Sequence, residues 1–145
     1  MSSLPNEPIH TVVAKWHLFM DHELPGGLEE LLDDDCVFYS PIVFTPQRGK
    51  ELTTLYLTAA SHVFPGDGAT SDGGSSFHYV REVLKGHDAI LEFETTIDGI
   101  AVNGVDMITC NDVGRIVEFK VMIRPLKAIN VIHAQMMAML ENMQS

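Results

Sequence analysis

The chain has 145 residues, 46% of them apolar, enough for one domain spanning 1–145 to bury its own core without metal or disulfide support. Nine basic against twenty acidic residues give a net charge of −11 with no Lys/Arg cluster, which argues against a nucleic-acid partner, since neutralising phosphate takes concentrated positive charge. The opening MSSLPNEP has neither the charged start nor the apolar run of a signal peptide, and no apolar run reaches membrane-spanning length, so a cytoplasmic protein without a membrane partner is expected.

Asn6-Glu7-Pro8 introduces the first helix, with a capping residue and a proline that the first turn tolerates. Ile9, Val12, Val13, Trp16, Phe19, Met20 and Leu24 repeat at helical spacing and form one apolar stripe. Pro25-Gly26-Gly27 breaks it, and Leu28, Leu31 and Leu32 predict a short second helix ending in the acidic run Asp33-Asp34-Asp35. Cys36–Tyr39 reads as a short strand. Residues 40–49, with Pro41 and Pro46, are expected to wrap as an ordered loop. A helix from about Lys50 to Phe64 carries Leu52, Leu55, Tyr56, Ala59 and Val63 on one face and stops at Pro65-Gly66. Residues 65–76, rich in Gly, Ser and Asp, can bury little area and are the stretch expected to move most.

Strands follow. FHYVREVLKG turns at Gly86, and in DAILEFETTID residues Ala89, Leu91, Phe93, Thr95 and Ile97 alternate against Glu92, Glu94 and Asp98. An Asp98-Gly99 turn leads into IAVNGVDMITC, and Asn111-Asp112-Val113-Gly114 turns into RIVEFKVMIR, where Val117, Phe119, Val121 and Ile123 share a face. The tail has helical spacing through Leu126, Ile129, Ile132, Met136, Met139 or Leu140, and Met143. The order predicts an α+β fold: a cone-shaped curved antiparallel sheet with N-terminal helices on its concave face, a C-terminal helix, and a pocket at the wide end. The outer face mixes Glu92, Glu94, Glu118, Lys120 and Arg124 with Ile90, Met107, Thr109 and Met122, a composition suited to a homodimer contact.

Asp106 is the odd residue, a carboxylate in the middle of an apolar strand. If it faces the cone, with Trp16 and Phe119 beside it, burial should raise its pKa above the usual value of roughly 3.9 and leave it able to donate a hydrogen bond. Cys36 and Cys110 lie within apolar strand patterns and read as buried free thiols, with pairing as the alternative. His10, His17, His22, His62, His78, His87 and His133 are scattered, without HExxH or CxxC, so no metal site and no cofactor are expected. On FHYVRE, one of His78 and Tyr79 must face the pocket. The methionines of the tail suit a core or dimer-packing helix, or a lid over a greasy ligand.

The element order, with the strings LLDDDCVFYSP, RGK, FHYVRE, LEFETTIDG, GVDMI and GRIVEFKVMIRPL, resembles the nuclear transport factor 2-like superfamily, and within it the SnoaL-like proteins. The resemblance covers essentially Val12 to Leu140 and implies the cone fold; the superfamily includes isomerases, cyclases, dehydratases, epoxide hydrolases and non-catalytic modules. Against ketosteroid isomerase, the oxyanion-hole tyrosine falls at Trp16, the general-base aspartate at Ser40 and the oxyanion-hole aspartate at Asp106, so one of three positions is kept. The Arg and Asp two apart of an epoxide hydrolase are not matched, since Arg81 is followed at that offset by Val83. Tyr and His acids of a related dehydratase leave Tyr79 and His78 as candidates.

Two functional readings stand. One is a protein that binds a small apolar ligand, with Asp106 as polar anchor in a pocket lined by Trp16, Tyr56, Phe93, Ile108, Phe119 and Val121. The other is an isomerase, cyclase or dehydratase acting on a carbonyl-bearing small molecule, with Asp106 as acid and Ser40, Tyr79, His78 or Tyr56 assisting.

Overall fold

In the computed structural model, which describes residues 7–68 and 76–144, the chain runs α1 (Pro8–Met20), α2 (Leu28–Leu31), β1 (Leu32–Tyr39), β2 (Gln47–Arg48), α3 (Lys50–Val63), β3 (His78–Lys85), β4 (Asp88–Ile97), β5 (Ile100–Cys110), β6 (Ile116–Arg124) and α4 (Leu126–Gln144). The order is the α+β one expected. The strands form one sheet in the order β2-β1-β6-β5-β4-β3. Period-two alternation in β4 is reproduced residue for residue, with Ala89, Leu91, Phe93, Thr95 and Ile97 buried. Asp98 and Gly99, at φ 55 and 78, make the tight turn that keeps β4 and β5 in register from Ile97↔Ile100 to Asp88↔Thr109. Gly104 faces Phe93 across that pair; a Cβ there would collide with the Phe93 ring and lie 2.8 Å from the Met122 carbonyl.

Several expectations need correction. The sheet is not wholly antiparallel, because β1 pairs parallel with β6. The acidic run belongs to β1 and not to α2: the register slips between Leu32 and Val37, so Asp34 and Asp35 hang outward while Leu32, Cys36 and Phe38 stay buried. Within the loop of 40–49, Gln47 and Arg48 add a two-residue edge strand. On α3, Leu57 and Thr53 are buried and Leu52, Leu55 and Tyr56 only half so, because the helix is gripped from two sides, by β1 and by α4. Ala128, not Leu126, anchors the start of α4; Leu126 is exposed. At α1 the cap position is Glu7, which makes no side-chain capping bond, and Asn6 lies outside the described residues.

Of the α1 stripe, Ile9, Val12, Val13 and Trp16 pack on the concave side of the sheet and Phe19 and Met20 are half-buried, but the helix ends at Met20, so Leu24 packs from beyond it. Cys36 and Cys110 are free and buried. Of the stretch 65–76, residues 69–75 lie outside the described residues. Its described ends are tied down: the Asp67 carboxylate accepts from the backbone N–H of Asp98 and Gly99, and Ser76 Oγ bonds Thr95 Oγ1 and the Thr96 carbonyl. No helix among the described residues is long and apolar enough to cross a membrane.

Candidate functional site

The strands and helices leave a cavity of about 130 Å³ between the concave face and α4. Phe93, Asp106, Phe119 and Val121 give it a floor of sheet residues, and Trp16 and Met20 of α1 close one side. Tyr56, Leu57 and Ala60 of α3 form another wall, with the turn from Ser40 to Val43 at the rim. Ile132, His133, Met136, Met137 and Leu140 of α4 cover it. The wall packs ring on ring: Trp16 lies 4.7 Å from Phe119 and 5.3 Å from Phe19, and Phe38 stacks on Tyr56 at 5.6 Å.

Asp106 is the acid in this cavity. It sits opposite Leu91 on β4 and Val121 on β6, with 6% of its surface exposed. Tyr79 Oη donates to Asp106 Oδ2 at 2.7 Å, and Trp16 Nε1 donates to Tyr79 Oη at 2.8 Å. Burial pushes the Asp106 carboxyl up to about 7, against the pull of the Tyr79 hydrogen bond, which favours the carboxylate. Burial also raises the Tyr79 hydroxyl well above the ordinary tyrosine range, and the Asp106 charge adds to it.

Of the residues expected at the site, Trp16, Tyr56, Phe93, Phe119 and Val121 line the cavity with Asp106. Ile108 does not: it is on the same face, one pleat repeat along β5, and is packed into the core at 1% exposure. Tyr79 is the inward residue of its pair but reaches the site only through Asp106. His78 points the other way, exposed, with Nε2 3.7 Å from Glu94 and Nδ1 3.0 Å from the Ser76 carbonyl, so it takes no part in this cavity. Ser40 does line it, yet its Oγ accepts from the backbone N–H of Ile42 and Val43, the work of a turn residue. His133 was missed. It lines the cavity from α4 and is itself exposed. The sequence signal was a second stripe, His133, Met136, Met137 and Leu140, at i, i+3, i+4 and i+7, beside the one through Ile132. No three His, Cys, Asp or Glu side chains among the described residues converge to hold a metal ion.

No protein-family model and no curated protein matches the chain. Among solved structures it is similar to a steroid delta-isomerase from Pseudomonas aeruginosa, 31% identical, with 94% of each chain covered and a TM-score of 0.81. It is also similar to an uncharacterized protein with a cystatin-like fold from Silicibacter pomeroyi, 26% identical over 91% of this chain and 86% of that one, with a TM-score of 0.74. An NTF2-like protein of unknown function from Mesorhizobium loti shares the fold at 22% identity, over 83% of this chain and 93% of that one, with a TM-score of 0.65.

Proposed function

The chain belongs to the nuclear transport factor 2-like superfamily, and from that premise we propose that it binds a small, largely apolar, carbonyl-bearing molecule in the cavity under α4, with Asp106 as polar anchor. One observation carries the reading: a single carboxyl buried among rings and aliphatic groups, held near pKa 7 by burial. About half of such a group is neutral at physiological pH, and a neutral acid in an apolar site donates a hydrogen bond to a ligand oxygen. A volume of about 130 Å³ is close to that of an engineered apolar cavity, about 150 Å³, which takes benzene. A single-ring ligand therefore fits the cavity, and a fused-ring ligand needs the α4 methionines to yield.

Trp16 is the only tryptophan of the chain and lines the cavity, so its emission reports occupancy directly. Titration with acetophenone should change that emission saturably. Asp106→Leu should weaken binding about tenfold or more, the worth of a hydrogen bond to an ionisable group, while Asp106→Asn keeps a donor and most of the affinity. Equal affinity in the Leu variant would remove Asp106 as the anchor.

His133 favours a second reading, catalysis. Its imidazole, exposed where it lines the cavity, and a carboxyl whose burial favours the neutral acid together provide a base and an acid for moving a proton next to a carbonyl, work for which Ser40 is far too weakly basic. The name of the Pseudomonas aeruginosa relative points the same way. Turnover of a β,γ-unsaturated ketone to its conjugated isomer, lost in His133→Ala and Asp106→Leu alike, would establish it; binding without turnover would leave the first reading alone.

The protein acts as a homodimer in a reducing cytoplasm, where Cys36 and Cys110 stay thiols. Support comes from the outer face, where Val80, Val83 and Met122 are 45%, 53% and 48% exposed. A single 16-kDa species in sedimentation at micromolar concentration would refute the dimer.

A further inference from the structure

The hydrogen bonds behind Asp106 have a direction that chemistry fixes. An indole N–H can only donate, so Trp16 Nε1 occupies a lone pair of Tyr79 Oη at 2.8 Å. The single Tyr79 proton is then turned to Asp106 Oδ2, 2.7 Å away. Were Asp106 to donate from Oδ2 instead, the tyrosine oxygen would face two donors and its own proton would lose its acceptor, a costly arrangement for buried groups. Oδ2 is therefore the accepting oxygen, and any proton on Asp106 belongs on Oδ1. Tyr79 does not line the cavity and Asp106 does, and with Oδ2 engaged by Tyr79 it is Oδ1 that is left for a ligand.

We infer that Trp16 and Tyr79 are positioning residues that hold Oδ1 of Asp106 as the acidic group offered to a ligand, so that the cavity selects a ketone when Oδ1 carries a proton and the matching alcohol when it does not. The inference rests on the ligand-binding reading of the cavity. A protonated Oδ1 donates to a carbonyl oxygen, whereas an alcohol in the same place leaves its own hydroxyl proton facing hydrocarbon; a bare Oδ1 accepts an alcohol or phenol proton and repels carbonyl lone pairs. Neighbours on the sheet leave that choice to the one group, because Leu91 and Val121 flank Asp106 with hydrocarbon. The other titratable side chains around it are Tyr79 from β3, Tyr56 from α3 and His133 from α4. Behind Tyr79 stand His17 of α1, its ring 5.3 Å from the Tyr79 ring, and Glu82, paired to His17 at 2.9 Å.

The test is calorimetric titration of the full chain with acetophenone and with its secondary alcohol, methyl phenyl carbinol, from about pH 5 to about pH 9, spanning the Asp106 midpoint. In the wild type the ketone should bind several-fold tighter at the acid end, and the ratio should fall or invert at the alkaline end. Tyr79→Phe removes the bond that stabilises the carboxylate, so the pH at which the ratio changes should rise by about one unit. Trp16→Phe keeps Tyr79 but frees its hydroxyl to rotate, and should move the midpoint the same way by less. A merely structural role for the pair would weaken both probes equally and leave the midpoint in place, which would overturn the inference. A ketone-to-alcohol ratio that ignores pH in the wild type would overturn it without any variant, while the cavity still binds. Failure of both probes to bind at any pH would overturn the ligand-binding reading as well.

Discussion

Glu92 and Asp106 are carboxylates on neighbouring strands, one register step apart, and the sheet treats them in opposite ways. Leu91 pairs with Asp106 and Glu92 with Val105, so the pleat sends Asp106 into the cavity and Glu92 to the outer face. Outside, Glu92 meets Arg81 at 3.3 Å and the Asn103 amide at 3.1 Å, in reach of water. Inside, Asp106 meets one hydroxyl and hydrocarbon, and burial moves it to about 7. A single step of strand register thus separates a carboxyl in reach of water from one whose burial favours the neutral acid, and position relative to the core decides what a carboxyl can do.

The largest effect should come from the cavity floor. Phe119, 1% exposed and packed on both Trp16 and Phe38, should cost about 3–5 kcal/mol when cut to Ala, read as a fall in urea midpoint. If Phe119→Ala costs no more than its outward neighbour Lys120→Ala, the contrast between the two faces fails.

Next comes Asp106→Asn. The folded pKa of about 7 lies above the unfolded value of about 3.9, so the neutral acid's contribution is fully present below about pH 4 and is lost as pH rises through about 7. At about 1.4 kcal/mol per unit the loss amounts to roughly 4 kcal/mol as an upper bound. Asn cannot ionise and still accepts from Tyr79. The variant should match the wild type in melting temperature near pH 4 and exceed it near pH 8. A variant less stable near pH 8 would show that Asp106 is held ionised.

The smallest effect belongs outside. Arg81→Ala breaks an exposed pair and should change stability by about 0.5 kcal/mol or less, with the difference shrinking in high salt. A loss of several kcal/mol would mean that the outer face is itself buried in an assembly.

What could be read in the sequence was what local pattern encodes. The alternation of β4, β5 and β6 names the buried face and puts Asp106 on it, and the Asp98-Gly99 turn sets the register. Pattern gave less where pairing is remote. The parallel partnership of β1 with β6 leaves no local trace, and an acidic run with one buried end looked like the end of a helix. The choice between His78 and Tyr79 stayed open because β3 is an edge strand whose register slips between Tyr79 and Arg81, so the inward side changes from Tyr79 to Leu84 along its length. His133 escaped because α4 shows one stripe to the core and another to the cavity, and only the first has the burial that periodicity detects.

The cavity also has two kinds of wall. Its sheet side is made of Phe93, Phe119 and Val121, branched or ringed groups 1–7% exposed and fixed by neighbours on every side. Its helical side is made of Met136, Met137 and Leu140, with Met20 opposite, and an unbranched thioether turns about three bonds to follow the shape it meets. Molecules that share a polar end but differ in outline can thus be seated alike at Asp106 and accommodated at the far end. Divergence in ligand preference could then proceed by exchanging residues on α4 alone, leaving untouched the strands that make the chain fold.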